Sequence, residues 1–509
     1  MNASKNVLKV VLPSIFVLLV LFLFFLLIWL VETFPLNNAE GVLFTLLTSK
    51  SGTENFVIDL LAEAGIFLNA IEGWFLCVLL ALLVSVLLKR KIRNFFSSYA
   101  LSMFVVGLFL ATIFAVNFFS MIPVSAYVKT LYTAISGPKD SPFYRDNYVF
   151  PDSVRITFPE KKYNLIYIML ESMETNFAPL TPELDSMSKV HLSFLPGGYP
   201  AANTDLTIAS QTAKLCGLPL SPPLHEAMFG TVNGIKNFMG NATCFTDILA
   251  KEGYLQTYIQ GSDSEFGSKK YLWTTHGNVS VHDLLHFEQN GLFKKEDEHF
   301  WGLDDAELYH LAKRDLNEMA KDTLRPFAFY LLTVDTHIPY GYLNSECPEK
   351  EDVIENQLPA VISCTSFEVA KFIEWIQSQS WFENTVVVVV GDHIHPYFNV
   401  SEDMNRFVAA KNLLGEIDGQ KQHFWVNFFI NSQKNTTERN RKFNSFDMFP
   451  TILESIGADI EGHALGFGRS LFSKEKTLLE QYPKEVIDSV LKTPSSQYNY
   501  FMYGDVWNF

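Results

Sequence analysis

VVVVVGDHIHP, residues 386–396, is the stretch that decides the fold. Five β-branched residues in a row make a strand that is apolar on both faces. Such a strand needs cover on both sides, as in a parallel sheet flanked by helices. It ends in Gly391, Asp392 and His393, so a carboxylate and an imidazole lie side by side at the strand's carboxyl end. Open α/β sheets gather their working residues there. An Asp-His pair suits a borderline divalent cation such as Zn²⁺ or Mn²⁺. An Asx-turn or helix cap with an incidental histidine uses the same residues, and this stretch alone does not choose between them.

Outward from it, four other apolar runs read as strands: NLIYIML (164–170), YLQTYIQ (254–260), FAFYLLTVD (327–335) and FWVNFFI (424–430). Between them lie helical stretches: IASQTAKLC, CFTDILAKEG, DDAELYHLAKRDLNEMAKD, TSFEVAKFIEWIQSQ and SFDMFPTILESIGA. Alternating strands and helices predict an α/β fold, a mostly parallel sheet sandwiched by helices. No internal repeat is present.

The front of the chain differs. Residues 10–31 carry no charge and are long enough for a bilayer core of about 30 Å. Residues 73–88 and 99–119 read as two further spans. Lys5 and Lys9 precede the first span, and Lys89, Arg90, Lys91 and Arg93 lie between the second and third. Glu32, Glu40, Glu54, Asp59 and Glu63 make the loop between the first and second acidic. The positive-inside rule then puts everything after the third span outside the cytoplasm. The expected organisation is a transmembrane part of about three helices (1–122), a juxtamembrane linker (123–162), a catalytic domain (163–475) and a C-terminal extension (476–509). A net charge of −16 excludes nucleic acid as a partner.

Cysteine usage fits an exported domain. Cys77 lies in the second span as a packed apolar residue. Cys216, Cys244, Cys347 and Cys364 allow three pairings, and proximity favours Cys216–Cys244 and Cys347–Cys364. Four free buried thiols are the alternative.

Two other positions gain meaning beside Asp392 and His393. Glu171 follows the first strand, where a lone Glu is ordinarily solvated. Thr207 opens a helix, where a lone Thr is ordinarily a cap. Together the four make a site in which a cation lowers the pKa of a hydroxyl, otherwise a poor nucleophile at neutral pH. Thr204 is the rival hydroxyl.

The markers NLIYIMLES, TIASQTAKLCGLPL, GSDSEFGSKKYLWTTHG, FYLLTVDTHIPY, VVVVVGDH and DMFPTILESIG stand in an order that resembles the alkaline-phosphatase/sulfatase superfamily, over residues 163 to 475. They most resemble its membrane-anchored phosphoglycerol transferases of periplasmic glucans and the related lipoteichoic acid synthases. The resemblance implies metal ligands at Glu171, Thr207, Asp392 and His393, with Thr207 as nucleophile. It places His337 near the transferred group, Lys269 or Lys270 near the phosphate, and His395 in the acceptor pocket or covering the loop. Gln211 stands where the sulfatase signature has arginine, and Thr207 where it has cysteine, which argues against sulfate-ester hydrolysis through a formylglycine.

The implied cofactor is one divalent cation, Mn²⁺ first, with Zn²⁺ or Mg²⁺ as alternatives. The implied reaction moves phosphoglycerol from phosphatidylglycerol to a glycan or surface-polymer hydroxyl through a phospho-threonine, at the periplasmic face of a bacterial inner membrane. The competing readings are phosphoethanolamine transfer to lipid A or a glycan, a phosphodiesterase that uses water, and a non-catalytic scaffold.

Overall fold

In the computed structural model, the residues described are 12–24, 26–27, 92–122, 124–128, 132, 141–220, 237–299, 301–337, 341–348, 357–395, 415–417, 420–493 and 495–503. The second expected span, the acidic loop before it and most of 126–135 lie outside them.

Contacts divide the chain into two units, 1–39 with 53–128, and 40–52 with 129–509. In the first, a helix of 30 residues, Ile92–Met121, covers the third expected span. Phe24 and Phe114 meet edge-on at 5.2 Å within this unit. Among residues described to the side chain, no helix is long and apolar enough to cross a membrane.

The second unit is built on a six-stranded sheet. In chain order the strands are β1 Asn164–Leu170, β2 Leu255–Gln260, β3 Ser280–His282, β4 Phe327–Leu332, β5 Thr385–Gly391 and β6 Asn427–Ile430. Across the sheet they run β3-β2-β4-β1-β5-β6, all parallel except β6, which pairs antiparallel with β5. β1, β4 and β5 are buried along their whole length.

Because side chains alternate across a strand, each central strand supplies two cores. Leu165, Tyr167, Met169, Val386, Val388 and Val390 face one; Ile166, Ile168, Leu170, Val387 and Val389 face the other. The first core is closed by α1 Thr207–Cys216, α2 Phe245–Lys251, α3 Lys269–Thr275 and α6 Met448–Ser455. The second is closed by α4 Asp305–Met319 and α5 Gln357–Gln377. Each valine of β5 is 0% exposed, and full burial of one such side chain contributes roughly 1.5–3 kcal/mol.

Three local readings change. Helix α5 begins at Gln357 rather than near Thr365, since Pro359 falls in its first turn, where a missing N–H costs nothing. The short edge strand β3 has no apolar run to announce it. The stretch expected as the juxtamembrane linker contains the helix Pro142–Asn147 and the strand Ile156–Thr157, and it places Tyr144 and Tyr148 in the first core. Leu478, Ile487, Leu491 and Phe501, from the C-terminal segment, join the same core. Both disulfides, Cys216–Cys244 and Cys347–Cys364, are formed as proximity favoured.

Candidate active site

The site follows from strand register. β1 and β5 are parallel neighbours with Leu170 opposite Gly391, so the next residues, Glu171 and Asp392, emerge together at the sheet's carboxyl edge. Gly391 is required there: a Cβ would lie 2.1 Å from the Met173 carbonyl oxygen. Ser172 joins the two carboxylates. Its N–H donates to Asp392 Oδ1 at 2.8 Å and its hydroxyl to Glu171 Oε1 at 2.8 Å. It does so from a left-handed backbone, φ 55°, which costs a non-glycine residue about 1–2 kcal/mol.

Thr207 is the first residue of α1. Its Oγ1 is 3.3 Å from Glu171 Oε2 and 3.4 Å from His393 Nε2. The residue before the helix, Leu206, gives it no side-chain cap, so the positive end of the helix faces whatever binds at Thr207. At the other end Gly217 adopts the left-handed cap at φ 65°. Thr204 points elsewhere, its hydroxyl donating to the Ala201 carbonyl at 2.8 Å.

The donor set fits a cation. One ligand atom each from Glu171, Asp392 and His393 lies within 4.8 Å of the others, and all three residues are buried. Asp392 Oδ2 is buried and accepts no hydrogen bond; it lies 3.4 Å from His393 Nε2. His393 Nδ1 is 2.7 Å from the Ile394 carbonyl oxygen. A carbonyl only accepts, so Nδ1 carries the proton, and in the neutral ring Nε2 presents its lone pair to the site. Burial, with Glu171 adding to it, pushes the Asp392 carboxyl up to about 6. Burial alone would lower His393, but Asp392 and Glu171 outweigh it and hold that imidazole above its usual value.

Of the two expected phosphate-binding lysines, one belongs to this field. Lys269 opens α3, is 6% exposed and donates to the Phe266 carbonyl at 3.0 Å. Burial lowers it to about 8 against the pull of Glu171, Asp263, Asp283 and Asp392. Lys270 is instead half-exposed and paired with Glu265 at 3.0 Å. His337 packs its ring 4.5 Å from Trp301 in the loop after β4. His395 is buried, and burial with His393, His337 and His423 nearby pushes it down to about 3. Glu174 holds that loop, accepting from the His395 N–H at 2.8 Å.

Gln211, at the sulfatase arginine's place, is fixed in a neutral network, accepting from Trp273 Nε1 and donating to the Tyr258 hydroxyl, each at 3.2 Å.

Three groups were not singled out from sequence. Lys214, 0% exposed, reaches from α1 to the Asp392 main-chain carbonyl. Ser172 bridges the carboxylates, although LESMETN gives no sign of it. The third is a buried acidic cluster beside the site, Asp305, Asp335 and Glu368. Asp305 accepts from the Val334 and Asp335 N–H groups at 2.7 and 3.1 Å. Asn344 donates to both Asp335 and Glu368 at 2.9 Å. The spacing of seven between Thr207 and Lys214, one face of a helix, was the one available signal.

Comparison with known proteins identifies the family and the fold. The sulfatase family model matches residues 163–458. Curated relatives named phosphoglycerol transferase I, from Escherichia coli and Shigella boydii, are 31% identical over 366 residues, covering 65% of this chain and 44% of theirs. The chain thus spans less than half the length of those relatives. The crystal structure of the lipoteichoic acid synthase LtaP from Listeria monocytogenes aligns with a TM-score of 0.50 at 17% identity, covering 63% of this chain and 79% of that one. That likeness concerns the fold. With a match over more than half its length and this sheet topology, the chain belongs to the sulfatase family.

Proposed function

We propose that the chain transfers a phosphoglycerol group from phosphatidylglycerol to a hydroxyl of a glycan or surface polymer, with Thr207 as the relay. The observation that carries this reading is the meeting of the Thr207 hydroxyl, at an uncapped helix start, with Glu171 and His393 at 3.3 and 3.4 Å. A threonine rather than a cysteine in that position supports phosphoryl over sulfuryl chemistry. The name shared by the 31% identical relatives supports phosphoglycerol as the cargo.

Glu171, Asp392 and His393 would hold a divalent cation beside Thr207. When bound, such an ion supplies Lewis-acid charge that lowers the pKa of a neighbouring hydroxyl and offsets charge on phosphoryl oxygens. Thr207 Oγ1 gives its proton to solvent and forms a bond to phosphorus, while the phosphorus–oxygen bond to the diacylglycerol breaks. His337 protonates the departing alkoxide, giving diacylglycerol and a phosphoglyceryl-threonine. An acceptor hydroxyl then gives its proton to His337 and attacks the same phosphorus, and Thr207 leaves and takes a proton back from solvent. Two displacements give ping-pong kinetics and retention at phosphorus. Lys269 and the N-terminus of α1 place positive charge against the phosphate oxygens.

A lipid donor requires a site at the bilayer. The reading therefore includes an inner-membrane protein anchored through its N-terminal spans, with this domain on the outer side. The purified full chain with Mn²⁺ should release diacylglycerol from phosphatidylglycerol vesicles, and Thr207→Ala should not. Release from phosphatidylethanolamine vesicles alone would replace the cargo, and unchanged release by Thr207→Ala would end the reading.

A further inference from the structure

We infer that Lys214 is a positioning residue that clamps the nucleophile's helix to the cation-binding loop and balances its charge. The inference rests on the reading above in assigning Glu171, Asp392 and His393 to a cation.

Lys214 lies two turns along α1 from Thr207 and is 0% exposed. Its ammonium donates to the main-chain carbonyl of Asp392 and contacts Ser210 Oγ. Ser210, one turn above, donates to the same carbonyl. Ser445 Oγ lies 3.5 Å from the ammonium, and the ring of Trp425 lies 4.4 Å from it. One helix thus carries the nucleophile at its first residue and two donors that grip the ligand strand's exit. The distance from Thr207 to Asp392 is set through them.

A buried ammonium is expensive, and removing one partner of a buried charged group leaves the others uncompensated. Here the charge has a counterpart. Glu171 and Asp392 bring two negative charges, and deprotonated Thr207 a third. A divalent cation offsets two. Lys214, when protonated, supplies the remaining positive charge from within α1, leaving Lys269 for the phosphate. Groups that orient ligands from behind typically change metal affinity or activity by about 10–100-fold when removed.

The test is titration of Mn²⁺ alone into the full metal-free chain, alongside thermal melts of the same samples. Wild type should bind Mn²⁺ and Asp392→Asn should not. Lys214→Met should lower the metal-free melting temperature, since it strands the Asp392 carbonyl and the nearby carboxylates, and should also weaken Mn²⁺ at least about tenfold. Lys214→Gln, which keeps a donor without the charge, should weaken it similarly and decides the matter if the Met variant does not fold. A role in packing alone would lower the metal-free melt and leave affinity intact. Affinity within about twofold of wild type in a folded variant overturns this inference only. Absence of Mn²⁺ binding by wild type, or equal binding by Asp392→Asn, overturns it together with the cation assignment.

Discussion

Two buried carboxylate clusters sit at the same edge of the sheet and differ in the partners they are given. At the ends of β1 and β5, Glu171 and Asp392 face His393 at 3.5 and 3.4 Å, with Lys214 and Lys269 in their field. Past the end of β4, the described partners of Asp305, Asp335 and Glu368 are backbone N–H groups and Asn344. Burial, with neighbouring carboxylates adding to it, pushes Asp305 up to about 7 and Glu368 up to about 8, and Asp335 well above the carboxylate range. The contrast teaches that burial alone does not make a cation site. Burial raises carboxyls in both, Asp392 to about 6 and Asp305 to about 7; what sets the first apart is the imidazole and the two lysines around it, where the second has neutral donors.

The largest effect should come from the first cluster. Thr207→Ala or Asp392→Asn should lower diacylglycerol release at least ~10³-fold in a steady-state assay, because nucleophile and ligand act as one unit. Retention of a tenth of the activity by either variant would dissolve the distinction between the clusters.

Lys269→Ala should reduce kcat/KM by roughly 10–100-fold, the worth of one charged donor to a transferring phosphoryl group. Lys270→Ala, with its side chain half-exposed and paired to Glu265, should stay within about twofold.

The second cluster predicts a pH dependence of stability. Its folded-state pKa values lie above those of the unfolded chain, so the fold binds more protons between about pH 4.5 and pH 8. Stability from this cluster is fully present below the unfolded values and is lost as pH rises through the folded ones. Glu368→Gln should flatten that loss and stabilise the protein at pH 8 by on the order of 1–3 kcal/mol, read by thermal melts at pH 5 and pH 8. A larger effect at pH 5 would reverse the protonation assigned to it. Smallest of all, Thr204→Ala removes one hydroxyl-to-carbonyl bond. It should cost about 1 kcal/mol of stability without changing turnover.

How much of this was legible in sequence follows from what each residue's signal is. Long apolar runs announced β1, β4 and β5, and the residue following β1 and β5 was a carboxylate, so Glu171 and Asp392 could be named. Their adjacency could not, since it depends on the pairing of Leu170 with Gly391 across 221 positions. Lys214 was hidden because a lysine in a helix is ordinarily on its solvated face, and only packing against Trp425 shows otherwise. Asp305 opens α4, Asp335 follows β4 and Glu368 lies within α5, far apart in the chain; the fold alone assembles them. The core contribution of Tyr144 and Tyr148 was masked by the Pro, Asp and Ser around them.

The most direct measurement is mass spectrometry of the peptide containing Thr207 after the full chain has met phosphatidylglycerol and Mn²⁺ without acceptor. The added mass of one phosphoglyceryl ester on Thr207, lost again when acceptor is supplied, is the predicted result. An adduct on Thr204, or steady turnover with Thr207 unmodified at every time point, would contradict it.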